Sequence, residues 1–430
     1  MDTLTAQALI RFGLGRRGNE ALPTEPVIWL QKQLEGDDTA AFDKRLPTTA
    51  DGLTVLREQY KLDLPPGQSV VRPLFDADVA AQTKQLLETD QPFRERLVWF
   101  WANHFTVSTK QGGTNATIGP YIREAIRPNV TGPFDAMLIA VMRHPAMLMY
   151  LDNNNSFGPD STIGKNQHRG LNENLARECL ELHTVSPASG YTQADVTEFA
   201  KIITGWSVEL NRLVPGFVFR EAAHEPGGKT LMGRKFPQGE AGGIAALEFL
   251  ANHPATHKHL ATQLVRHFVA DDPPPDAVRT IEGVLRDTNG DLGAASTALL
   301  HLEAAWQPLT KLRTPLDFSV ATLRALDLPA DRVVPLQGVL GSLGMPLWTA
   351  PLPNGWSDVA TDWAAPEAMM RRVDWTYSIA GHSADRDPLE IADASLGALL
   401  RPRTLEAMRR AGSRRDALTL LLTSPEFQRR

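Results

Sequence analysis

Only one cysteine, Cys179, stands among the 430 residues. That excludes an intrachain disulfide framework and any cysteine-rich zinc site, and Cys179 itself reads as a small buried apolar residue. Long apolar runs are missing too. The best, Phe134 to Met142, stops at Arg143, short of the about 18 residues that span a bilayer. Basic excess is the third absence. Lys+Arg 44 against Asp+Glu 50 gives a formal net charge of −6, the wrong sign for a face that binds phosphates, so a nucleic-acid partner is not expected. The cluster Arg409, Arg410, Arg414 and Arg415 reads as a solvated helix face. The opening MDTLTAQALIRFGLGRRGNE has no basic region followed by a long apolar one and no small-residue cleavage site, so cytoplasmic is the default expectation. Complete catalytic signatures are absent as well. Gly158 to Asn166 lacks the Ser or Thr of a phosphate loop after Lys165, and His224-Glu225 lacks the second histidine of a zinc-protease helix.

What is present is helical periodicity. Apolar residues recur at helical spacing from Thr3 to Phe12, 26–35, 75–106, 119–126, 133–142 and through most of 243–324. The expected fold is mainly α: a large bundle-like domain with long loops and one small β-hairpin. Its parts are an N-terminal helical segment (1–65), a helical core (66–325) and a final segment (326–430) of loops and helices packed on that core. The hairpin is expected near 214–237, where Gly216–Phe219 and Leu231–Phe236 flank AAHEPGGKT. His144-Pro145 and His253-Pro254 read as one helix-start device used twice. His253, His257, His259 and His267 have no acidic neighbour in the pattern and are expected on the surface. Trp348, Trp356 and Trp363 ride on the loop-rich 335–366, where the Asn-Gly-Trp turn can lay an aromatic over a pocket.

The densest chemistry lies in Asn172 to Trp206, NENLARECLELHTVSPASGYTQADVTEFAKIITGW. Leu171, Leu175, Cys179 and Leu182 form the apolar stripe of an amphipathic helix. On its polar side Glu173, Arg177 and Glu181 make an acid–base–acid ladder at i, i+4 steps, and Glu178 and His183 sit close by. Two carboxylates and an imidazole within a helical turn can bind a divalent metal or divide acid and base roles; an ion-pair ladder around Arg177 is the structural alternative. Thr192 and Asp195 have capping-box spacing. Elsewhere, His104 lies inside the aromatic run LVWFWANHF, His224 and Lys229 ride on the expected hairpin, and Asp152, Asn154 and Ser156 alternate like oxygen ligands in the long polar loop 150–170.

In order along the chain, RFGLGRR, WFWANHFTVS, HPAMLMYLDNNNS, GLNENLARECLELHT, YTQADV, ITGW, HEPGGKTLMG and PNGW resemble the bacterial domain-of-unknown-function family eighteen-hundred nearly end to end. Two departures stand out: Cys179 where a leucine is common, and Val185-Ser186-Pro187-Ala188 where a glycine-containing turn is usual. The resemblance implies a mostly helical bacterial protein, commonly encoded beside a second family that looks like the sulfatase and alkaline phosphatase group. It brings no established activity. Many members of the family are exported, so co-export to the periplasm with a sulfatase-like partner stands beside the cytoplasmic expectation.

These readings converge on a candidate metal-assisted hydrolase acting on an envelope or extracellular substrate. Glu178, Glu181, His183 and Arg177 are its candidate catalytic residues. Asn172, Glu173, Asp195, Trp206, Lys229 and Trp356 are the candidate substrate contacts, and His104, His224 and Asp152 the candidate ligands of a divalent metal. The alternative is a non-catalytic binding or assembly partner of a sulfatase-like protein.

Overall fold

The computed structural model describes residues 1–40, 42, 45–65, 68–330 and 336–430. Of the expected loops, Pro66-Gly67 and the start of the Trp-bearing segment at Pro335 lie outside the described residues. Helix α1 (Thr3–Gln7) runs on into a π-helical turn, Ala8–Phe12, and is followed by α2 (Pro26–Glu35) and α3 (Thr49–Lys61). The expected single helix over 75–106 is two helices, α4 (Arg72–Glu88) and α5 (Pro92–His104). Pro92 explains the break: it forces Gln91 out of the helical region, to φ −116°, ψ 61°, and then opens α5 at its first position.

Short helices follow: α6 (Ile118–Tyr121), α7 (Phe134–Arg143), α8 (Pro145–Tyr150), α9 (Thr162–Gln167), α10 (Asn174–Glu178) and α11 (Gln193–Ile202). A π-helical turn, Cys179–His183, extends α10. His144 and His253 cap their helices alike, each accepting the backbone N–H two residues on at 3.1 Å.

Two hairpins replace the single one expected. β1 (Trp206–Glu209) pairs antiparallel with β2 (Gly216–Phe219), Trp206 opposite Phe219, and β3 (Lys229–Leu231) pairs with β4 (Arg234–Phe236). The cause is local. Met232 and Gly233 both have positive φ, 47° and 79°, so Leu231 turns straight back on Arg234 as in a two-residue hairpin, and Gly216–Phe219 is left to pair with the strand before it.

The remaining helices are α12 (Glu240–Ala251), α13 (Pro254–Phe268), α14 (Pro275–Asp287), α15 (Leu292–Leu300), α16 (Pro315–Ala325), α17 (Leu336–Ser342), α18 (Pro366–Ala380), α19 (Pro388–Leu396), α20 (Pro402–Arg409) and α21 (Arg414–Leu422). Phe12, Leu30 and Leu53 of the N-terminal segment share one core with α5, α7 and α13. A second cluster gathers Ile10, Phe318 and the C-terminal helices. Among the described residues no helix is long and apolar enough to cross a membrane.

Candidate functional site: a histidine-lined polar cavity

The π-helical turn after α10 ends at His183, and the last carbonyls of a helix have no partner within it. Two imidazoles from other elements take them. His259 of α13 lies 2.9 Å by Nε2 from the Leu182 carbonyl, and His104 at the end of α5 lies 3.2 Å by Nε2 from the His183 carbonyl. A carbonyl oxygen only accepts, so in each neutral ring Nε2 carries the hydrogen and Nδ1 keeps its lone pair. Neither Nδ1 has a partner among the described residues, and neither is sealed from solvent. Burial holds both rings below the ordinary imidazole value; for His104 the neighbouring His183 and His259 add to it.

Both histidines line a cavity of about 440 Å³, together with Asn103, Gln263, Arg266 and Trp356. The PNGW turn closes one side. Asn103 donates from Nδ2 to the Trp356 carbonyl at 2.8 Å and accepts the Trp356 N–H at 2.8 Å. Gly355 makes this docking possible: its φ is +74°, and a Cβ there would lie 2.5 Å from the Asn103 carbonyl oxygen. Asp271 and Asp358, also on the cavity wall, belong to a charge network beneath it. Asp358 meets His267 Nδ1 at 2.8 Å and Arg430 at 3.4 Å, Arg430 and Arg96 hold Asp317 at 2.9 and 2.7 Å, and Lys311 pairs with Asp271. Burial alone would raise the Asp358 carboxyl, but His267, Arg430 and Lys311 hold it at about 2. Burial pushes His267 down to about 4.

His183 sits behind the cavity rather than on it. It is fully buried, its ring centre 6.0 Å from His104 and 5.0 Å from Phe105, with neither ring nitrogen partnered among the described residues, and burial pushes it down to about 3. Glu178 and Glu181 are half-buried and do not line the cavity either. Burial and then the Glu181 charge raise Glu178, and burial with the Glu178 charge raises Tyr150 to about 12.

The charged ladder closes on one side only. Arg177 donates to Glu173 at 3.0 Å and to Gln193 at 2.9 Å, and Glu173 also accepts from Thr197 at 2.7 Å and Gln193 at 2.8 Å. These two residues therefore staple α10 to α11. Asn172 is tied to Ser156 and Asn174. Asp195 completes the capping box of α11 and accepts the Met232 N–H at 2.7 Å, which ties in the second hairpin. Trp206 is wholly buried in the main core.

The expected metal ligands do not meet. His224 bonds Thr204 O at 2.9 Å through Nδ1, and its Nε2 receives Gly239 N–H at 3.0 Å and Lys229 Nζ at 3.1 Å, which uses up the ring. Asp152 accepts from Gln111 at 3.3 Å. Among the described residues no three His, Cys, Asp or Glu side chains are grouped to hold a metal ion.

Of the residues picked from the sequence, then, His104 and Trp356 reach the cavity. His259, expected on the surface, lines the cavity instead, beside Gln263 and Arg266, which the sequence does not single out although the i, i+4, i+7 spacing of the three is a polar stripe on one helix. The same expectation covers His257 and His267. His257 is 4% exposed, and the acidic partner of His267 lies 91 residues further on.

Fold and cavity together describe a mainly helical protein with a polar cavity that carries two neutral imidazoles on its wall. The family described as "Protein of unknown function (DUF1800)" matches residues 7–429, and the chain belongs to it. No curated protein and no solved structure matches the chain.

Proposed function

We propose that the chain is a hydrolase of a hydroxyl-rich, glycan-type substrate of the envelope or extracellular space, with His104 and His259 as its proton-transfer groups. One observation carries the reading: consecutive carbonyls, Leu182 and His183, hold both rings by Nε2, which leaves each Nδ1 with its lone pair, and both histidines line one polar cavity. An imidazole kept neutral can take a proton from attacking water at Nδ1 and return it to the leaving oxygen. Trp356 offers a face on which a sugar ring can stack, and Asn354, Gln263 and Arg266 offer hydrogen bonds to hydroxyls. A metal-assisted route would seat a cation on the same two Nδ1 atoms, but a third grouped protein ligand is lacking among the described residues.

The test is product release from a panel of envelope polysaccharides by the wild type, His104→Gln and His259→Gln. Glutamine keeps an N–H for the carbonyl and removes the base, so the expected loss is about 10²- to 10⁴-fold in each folded variant. No turnover by the wild type, or wild-type rates in both variants, overturns the reading.

A second reading, a binding partner of a sulfatase-like protein, draws on the tip of the β1–β2 hairpin, where Leu213 is fully exposed and Val214 is 69% exposed. Co-purification that survives Leu213→Ser with Val214→Ser would remove that support.

A further inference from the structure

Charge at the polar cavity is unevenly answered. Among the described residues that line it, Asp271, Asp358 and Asp362 carry carboxylates and Arg266 carries the one guanidinium. Two of the acids are already paired, Asp271 with Lys311, and Asp358 with His267 at 2.8 Å and Arg430 at 3.4 Å. Asp362 is exposed, where water screens it. Arg266 is half-buried and has no carboxylate partner among the described residues; its Nη1 donates only to Gln263 Oε1, at 3.4 Å. Its Nε and Nη2 have no partner there either, and neither is sealed from solvent. Arg266 follows His259 by about two turns of α13, and after burial its charge helps to hold that ring low.

The charge beneath the wall has the same sign. Asp271 and Asp358 belong to a network in which six buried cations, Arg11, Arg96, Lys311, Arg313, Arg372 and Arg430, act on one another and on the three carboxylates Asp271, Asp317 and Asp358. Positive charge exceeds negative there, in a chain whose formal net charge is −6. Low-dielectric walls carry such a surplus to a cavity with little screening. A neutral hydroxyl answers one N–H of Arg266 and leaves its charge alone. A carboxylate or a sulfate answers two N–H groups and the charge as well.

We infer that the substrate of the polar cavity carries an oxyanion, the carboxylate or sulfate ester of an acidic sugar, and that Arg266 is the residue that selects it. The inference rests on the glycan reading of the cavity and narrows it from hydroxyl-rich sugars to charged ones. Arg266 positions the charged unit beside His259 and takes no part in proton transfer.

The test is calorimetric titration of the full chain with three trisaccharides on one skeleton: galactose, galactose sulfated at its primary hydroxyls, and galacturonic acid. At least one charged form is expected to bind the wild type about tenfold or more tighter than the neutral one, and the form that does so names the oxyanion. In Arg266→Gln, which keeps a donor and removes the charge, that preference is expected to fall to about threefold or less. Arg409→Gln, at an exposed arginine of α20, should leave it in place. Equal affinity for charged and neutral forms, no binding of any of the three, a preference that survives Arg266→Gln, or one that Arg409→Gln removes as well overturns the inference. If Arg266→Gln does not fold, the Arg266 Nε–H resonance of the wild type decides: it should shift with a charged form and not with the neutral one, and a resonance that ignores all three overturns the inference. Turnover separates this inference from the hydrolase reading. A charge preference that depends on Arg266, with no polysaccharide cleaved, overturns the hydrolase reading alone and leaves the oxyanion site standing; cleavage with no charge preference does the reverse.

Discussion

His259 does two things with one ring: its Nε2–H closes the Leu182 carbonyl at 2.9 Å, and the ring, with an unprotonated Nδ1, lines the polar cavity. The two roles separate by substitution. His259→Gln keeps a donor for the carbonyl and should unfold in urea close to the wild type, whereas His259→Ala strands that carbonyl and should cost about 1–3 kcal/mol. Equal stability of the two variants would show that the carbonyl bond anchors nothing. That His104 and Trp356 line a cavity is in part legible, since an imidazole inside LVWFWANHF needs a reason to be there and PNGW is a turn that presents its aromatic. His259 was not, because its partner is a backbone carbonyl 77 residues away and no side-chain pattern announces a carbonyl. Glu178, Glu181 and His183 stand out in the sequence as a cluster of reactive types, yet the two half-buried carboxylates do not line the cavity and His183 goes into the core.

The joint between α10 and α11 shows which parts of the fold a single chain discloses. Thr192 with Asp195, and the two His-Pro helix starts, are local devices whose partners lie within three residues, and they were legible. The split of 75–106 at Pro92 was local too, but the aromatic periodicity across it hid the break. The hairpins were misplaced because a Met232-Gly233 turn lacks the Asn-Gly or Asp-Gly signature of that geometry. The joint itself hangs on Glu173, which accepts from Arg177, Gln193 and Thr197. Glu173→Ala should therefore lower stability by about 1–3 kcal/mol while the folded fraction keeps its activity, checked by urea unfolding alongside product release. Loss of activity at unchanged stability would make Glu173 part of the site instead.

Across the whole molecule, eight of the eleven histidines, at 104, 144, 183, 224, 253, 257, 259 and 267, are held below the ordinary imidazole range, each chiefly by burial. Such a ring stays neutral in the folded chain after its unfolded counterpart has taken a proton. Its contribution to stability is therefore complete above about pH 6.5 and is lost as the pH falls below that value. His183, pushed to about 3, and His267, pushed to about 4, should each remove about 1.4 kcal/mol per pH unit on the way down. Asp317 and Asp358, held below the usual carboxylate range by arginine and histidine neighbours against the pull of burial, add their loss only in stronger acid. The urea midpoint should be flat above about pH 7 and fall steadily from about 6.5 to 4; a midpoint unchanged to about pH 4.5 would contradict this. Ring ¹⁵N NMR of the full chain tests most directly whether the two imidazoles that line the cavity are neutral and anchored through Nε2. At neutral pH His104 and His259 should both show a protonated Nε2 and a bare Nδ1, and each should titrate only below the ordinary imidazole value. An imidazolium at neutral pH, or hydrogen on Nδ1 in either ring, would contradict the account.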